Sequence, residues 1–100
     1  MSSAVPARQR GVKVLLHGAW RGFAGGAKEV SLEASNLREA LDCLAERYPS
    51  LKERLRDEHG KLRPHLALFV NDEDARLLGW EDAPLKEGDL VHVIPALSGG

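Results

Sequence analysis

Asn36-Leu37-Arg38-Glu39-Ala40-Leu41-Asp42-Cys43-Leu44-Ala45-Glu46-Arg47-Tyr48-Pro49 reads as a helix with both of its ends. Leu37, Leu41, Leu44 and Tyr48, with Ala40 and Ala45 beside them, recur at helical spacing and make one apolar stripe. Ser35 or Asn36 can cap the start, and Glu39 stands three residues after Asn36, as a variant of the capping box requires. Pro49 stops the helix near Arg47 or Tyr48, because the residue before a proline is pushed out of helical geometry. A single one-faced helix has to bury its stripe against something else, and the flanking sequence offers strands.

Upstream, Val12, Val14 and Leu16 alternate with Lys13, Leu15 and His17, the pattern of a half-buried strand. Glu29-Val30-Ser31-Leu32-Glu33 alternates again. Between them, Gly18 to Gly26 holds four glycines in nine residues, which predicts a wide loop rather than a tight hairpin joining an antiparallel pair. Trp20 and Phe23 in this loop are expected to cover an open end of a small core.

Downstream, Leu51 and Leu55 sit four apart among charges, as in a short surface helix that dips two leucines inward, and His59-Gly60-Lys61 breaks it. His65-Leu66-Ala67-Leu68-Phe69-Val70-Asn71 is nearly unbroken apolar sequence, predicting a central strand covered on both faces with Phe69 in the core. Asn71 to Asp74 reads as a turn and Ala75-Arg76-Leu77-Leu78 as a short strand or extended segment. Pro84 to Asp89 leads into the last strand, Leu90-Val91-His92-Val93-Ile94, and Pro95 then ends the ladder because it has no amide donor. The economical solution is an α+β fold, a mixed twisted sheet with one principal helix packed on one face, the plan of a β-grasp domain. Residues 1–11 are expected to be a flexible leader, 12–96 the domain and 97–100 a flexible tail.

Composition limits the function. With 14 Lys plus Arg against 15 Asp plus Glu, the formal net charge of −1 argues against a general nucleic-acid binder. No apolar run is long enough to span a membrane. The histidines at 17, 59, 65 and 92 lack ligand-like spacing, so no metal site is expected. The lone Cys43 cannot form an internal disulfide, which fits a cytoplasmic protein, and no Cys-His pairing in sequence places it in a reactive site. The chemistry is expected at the other end of the chain. In Leu97-Ser98-Gly99-Gly100 the two glycines carry no side chain to obstruct an enzyme approaching a terminal carboxylate.

This order of elements, with Asn71-Asp72-Glu73-Asp74-Ala75-Arg76, the Leu85-Lys86-Glu87-Gly88-Asp89 approach and the Pro95-to-Gly100 ending, resembles the ubiquitin-like sulfur carriers of the MoaD/ThiS family from about Val12 onward. Val70 to Arg76 and the ending look most like the CysO-type carriers of cysteine biosynthesis. The resemblance implies a protein that is not an enzyme but a sulfur donor. An E1-like adenylating enzyme would use ATP to activate the Gly100 carboxylate, with Gly99 as the slender element beside it, and a sulfur donor would convert it to a thiocarboxylate. The recipient would be a cysteine synthase carrying pyridoxal phosphate, followed by a metalloprotease that releases cysteine, or else the large molybdopterin-synthase subunit. No cofactor would be held permanently by this chain. A ubiquitin-like modifier joined to lysines and a plain β-grasp interaction module are the other readings. Docking is expected to use Leu97 and Ser98 together with Arg76, exposed members of Leu77, Leu78, Trp80, Val91 and Val93, near the point where the tail departs.

Overall fold

The computed structural model describes residues 11–95. Residues 1–10 of the expected leader, Ala96 and the expected tail 97–100 lie outside the described residues, whereas Gly11, expected in the leader, opens the first strand. The alternation of the first two strands forms β1 (Gly11–Leu16) and β2 (Glu29–Glu33), paired antiparallel with Val14 opposite Val30. The glycine-rich connection is a 3₁₀ segment, Gly18–Ala24, held to the end of β1 by the Arg21 Nε donating to Leu16 O at 2.8 Å.

Helix α1 (Leu37–Arg47) lies where the stripe places it and buries Leu37, Ala40, Leu41 and Leu44. Asn36 is its cap: Oδ1 accepts from Glu39 N at 2.8 Å. The reciprocal half of the box closes one residue earlier than on a standard cap, with Glu39 Oε1 accepting from Ser35 N at 2.9 Å and Ser35 Oγ at 2.8 Å. Pro49 opens a 3₁₀ turn that runs into α2 (Lys52–Leu55), and Leu51 and Leu55 are both buried, as their spacing predicts.

Three strands complete the sheet: β3 (Ala67–Val70), β4 (Glu73–Asp74) and β5 (Leu90–Ile94), in the order β2-β1-β5-β3-β4. Strand β5 is parallel to β1 and antiparallel to β3, which makes the sheet mixed, with helices on one face. This is the α+β, ubiquitin-like β-grasp architecture. The core joins α1 to Val12, Val14 and Leu16 of β1, Leu68 and Val70 of β3, and Val91 and Val93 of β5.

Several expectations are corrected, among them the turn over residues 71–74, whose second half, Glu73–Asp74, pairs with β3 as β4. The centre of the sheet is β5 flanked by β1, and β3 is shorter than expected and covered on one face only. Phe69 therefore stands half-buried on the outer face, in register with His92 and Asp74, instead of in the core. Ala75–Leu78 is a 3₁₀ turn, not a strand, because Asp74 Oδ1 accepts from Arg76 N at 2.9 Å and turns the backbone out of the ladder. Val91 and Val93, expected among the docking residues, are 0% and 1% exposed. Each lies between inward-facing residues of both neighbours, Val91 between Val14 and Val70 and Val93 between Leu16 and Leu68, so the outward residues of β5 are Leu90, His92 and Ile94.

Polar contacts lock the lower surface. Arg56 Nη1 donates to Gly60 O and to Glu81 Oε1, each at 2.9 Å, and its Nε donates to Asp42 Oδ1 at 3.1 Å. Arg38 reaches Asp82 Oδ1 at 2.8 Å, so α1, the end of α2 and the segment before β5 form one network.

Candidate functional site

The site is built where β5 runs out. Its ladder with β3 ends at the Ala67–Ile94 pair and that with β1 at Leu16–Val93, after which His17 N still donates to Val93 O at 3.0 Å. Pro95 follows and offers no donor. Gly18 lets the chain close on it: φ is +57° there, and a Cβ would stand 2.7 Å from Pro95 Cγ. Any side chain at Gly18 would both strain the backbone and displace the root of the tail.

Around this root lies an open groove of about 910 Å³, with Ile94 and Pro95 among its lining residues. Trp20 and Phe23 pack partly against the core, as expected for a cover over its open end, and their rings meet edge to face with centroids 6.2 Å apart. They also form a wall of the groove. The Arg54 guanidinium lies 3.9 Å from the centroid of the Phe23 ring, a cation–π contact that holds its charge at the surface. Arg63, anchored by Nε donating to Glu53 O at 2.8 Å, and His65 line the same groove. No local pattern marks these three, because Arg54 comes from α2 and the other two from the loop before β3, and only the closed fold brings them together.

A second feature is the outer face of the sheet. His17 and His92, 75 residues apart, meet there with Nε2 of the first and Nδ1 of the second at 3.0 Å and their rings 5.2 Å apart. Partial burial holds the His92 imidazole below the usual histidine range, the nearby His17 pushes it further down, and Asp72 opposes both. The unfolded chain, with an ordinary histidine there, takes up a proton before the folded one does. Stability from this group is therefore complete above the ordinary histidine pKa and is lost as pH falls through the lower folded value. Thermal melts from pH 7.5 down to 5 are expected to show a steeper loss for the natural chain than for His92→Gln; equal slopes would remove the pair as the cause.

The remaining expected docking residues form a separate group. Arg76 lies over the Trp80 ring at 4.4 Å and donates from Nη2 to Pro64 O, Trp80 and Leu78 are partly buried against the core, and Leu77 is 79% exposed. None of the four lines the groove at the tail root. Leu97, Ser98, Gly99 and Gly100 lie outside the described residues. Among the described residues no group of three or more His, Cys, Asp or Glu could hold a metal ion, and no helix is long and apolar enough to cross a membrane.

Comparison with known proteins fits this architecture. The ThiS family model matches residues 14–100. The sulfur carrier protein CysO of Mycobacterium tuberculosis is 37% identical over 82 residues, covering 80% of this chain and 88% of that protein, and its crystal structure superposes with a TM-score of 0.77 at 34% identity, over 86% of this chain and 99% of that one. Ubiquitin-related modifier 1 of Schizosaccharomyces pombe is 35% identical over 96 residues, covering 89% and 98% of the two chains. The small archaeal modifier protein 1 of Methanosarcina acetivorans superposes with a TM-score of 0.81 at 28% identity, over 92% of this chain and 98% of that one. The chain belongs to the ThiS/MoaD family of ubiquitin-like sulfur carriers, a family of carrier proteins rather than catalysts, and CysO-type carriers are among its relatives.

Proposed function

We propose that this carrier donates sulfur in cysteine biosynthesis, through a thiocarboxylate formed at Gly100. The observation that carries this reading is the similarity to CysO across the whole folded domain. Gly100 supplies the reacting carboxylate and Gly99 the slender approach to it; neither acts as an acid or base. A carboxylate is a poor electrophile, so an E1-like partner first joins it to the α-phosphorus of ATP, and pyrophosphate leaves. Sulfide delivered by a sulfur donor then adds to the acyl carbon, AMP leaves, and the thiocarboxylate remains. Its sulfur is the better nucleophile and would take the place of the leaving group on an O-activated serine bound by a pyridoxal-phosphate cysteine synthase, giving a thioester to cysteine whose acyl group then moves from sulfur to the cysteine nitrogen to form an amide. A metalloprotease then frees the cysteine from the tail.

The similarity to a ubiquitin-related modifier favours a second reading, in which the activated Gly100 is joined to lysines of other proteins. One experiment separates the two. The purified chain is incubated with its E1-like enzyme, ATP and sulfide, and then with the cysteine synthase and O-activated serine. Intact mass is expected to rise first by the difference between one sulfur and one oxygen atom, and then by the cysteine adduct. Lysine-linked conjugates without a cysteine adduct would favour the modifier. Transfer only to a large molybdopterin-synthase subunit would move the chain to pterin chemistry, and no mass change with an active partner would reject the carrier role.

A further inference from the structure

The groove at the root of the tail carries a charge that the fold offsets only weakly: Asp57 feels the Arg63 guanidinium but forms no ion pair with it. The charged lining of the groove is Arg54 and Arg63 against Glu53 alone. Among the described residues neither arginine forms an ion pair: Arg54 rests on the Phe23 ring, and Arg63 is tied to a backbone oxygen. This contrasts with Arg38 and Arg56, whose guanidiniums are matched to Asp42, Glu81 and Asp82.

The tether decides what can cover this groove. Five residues follow Pro95, and fully extended they reach about 17 Å. An enzyme that encloses Gly100 in an active site must take up most of that length, which brings the mouth of its channel down onto Pro95. Ile94 and Pro95 belong to the groove, so the walls around them are covered at the same moment. Trp20 and Phe23 then supply an apolar contact from the groove wall, the kind of side chain that anchors an interface. Arg54 and Arg63 stand beside it, where like charge on the partner would be repelled and carboxylates would be drawn in.

We infer that Arg54 and Arg63, with Trp20 and Phe23 in the same groove as the tail root, form a docking collar for the adenylating enzyme that receives the tail, and that the rim of its channel presents acidic side chains to them. This rests on the carrier reading above and adds which surface, besides the tail, selects the enzyme. The collar acts on encounter and grip, not on the chemistry at Gly100.

The test measures initial rates of thiocarboxylate formation against carrier concentration, with the E1-like enzyme, ATP and sulfide. The doubly substituted Arg54→Glu, Arg63→Glu chain is expected to raise KM by about tenfold or more with kcat within about twofold. Arg54→Lys, Arg63→Lys should stay near the natural KM. Lys86→Glu, the same change of charge beyond the opposite end of β5, should leave it unmoved. Added salt should raise KM for the natural chain and scarcely affect the Glu pair. A folded Glu pair with the natural KM overturns the collar while the carrier reading stands. Failure of the natural chain itself to be converted by an active enzyme overturns both. Should the Glu pair not fold, Arg54→Gln, Arg63→Gln and the salt dependence of the natural chain decide: a salt-independent KM, unchanged by the Gln pair, rejects the collar.

Discussion

Removing Gly99 and Gly100 is expected to abolish thiocarboxylate formation entirely while leaving the melting midpoint within about 2 °C of the full chain. The two halves of this result come from different parts of the molecule. The core lies within residues 11–95: β5 is hydrogen-bonded on both sides, and Val91 and Val93 are sealed among Val14, Leu16, Leu68 and Val70. Reactivity, by contrast, is assigned to a group that the packed domain does not use. Gly99→Val restores chain length and carboxylate but puts a branched side chain beside the acyl carbon, and is expected to lower the rate by about hundredfold through misplacement alone. Intact mass after incubation with the adenylating enzyme reads the first effect, and calorimetry the second. Conversion of the truncated chain would mean that another group reacts. A midpoint lowered by about 8 °C or more would mean that the tail contributes to the packed domain.

How much of this was legible beforehand depended on the distance over which each feature is encoded. The helix and the β1–β2 pair are written in local period and in capping residues, and they stand where Leu37 to Tyr48 and Val12 to Leu32 place them. Long-range pairing is different. That β5 lies between β1 and β3 follows from a parallel match of Lys13 to Leu90, residues 77 apart, and no local pattern states it. An apolar run such as Leu66 to Val70 fits a strand covered on both faces as well as one beside the edge, which is why Phe69 was expected inside. The inward face of β5 is ambiguous in sequence for a related reason. Val91 and Val93 alternate with Leu90, His92 and Ile94, and both sets are hydrophobic enough to pass for the core until the neighbouring strands fix the choice. The tail is read from its glycines alone, whereas the groove before it has no local signature. Arg54, Arg63 and the Trp20–Phe23 pair come from three separate segments, and their meeting point exists only after folding.

Asp89→Ala is expected to cost about 2–3 kcal/mol, lowering the melting midpoint by roughly 10–20 °C, the largest loss from any exchange outside the apolar core. Asp89 is the one charged residue buried among the described residues, and it follows Gly88, whose φ of +88° turns the chain into β5. Its Oδ2 accepts from Lys86 N at 2.8 Å and its Oδ1 from Asn71 Nδ2 at 3.1 Å. Asn71, itself at φ +55° in the turn after β3, completes the clamp by accepting from Leu90 N through Oδ1 at 3.1 Å and donating from its own N to Leu90 O at 2.7 Å. Removing the carboxylate strands two donors, and charged acceptors are the stronger partners, so the loss exceeds that of an ordinary hydrogen bond. Asn71→Ala removes the other half of the clamp, and because the two side chains share a bond, the double variant should lose less than the sum of the single losses. Strict additivity would mean that the two act separately. The consequence reaches the far end of the strand: β5 is pinned at its start by this clamp and at its end by His17 and Gly18, so its course up to Pro95 is set by both. An Asp89→Ala chain that melts within about 3 °C of the natural one would show that the sheet alone holds β5 in place.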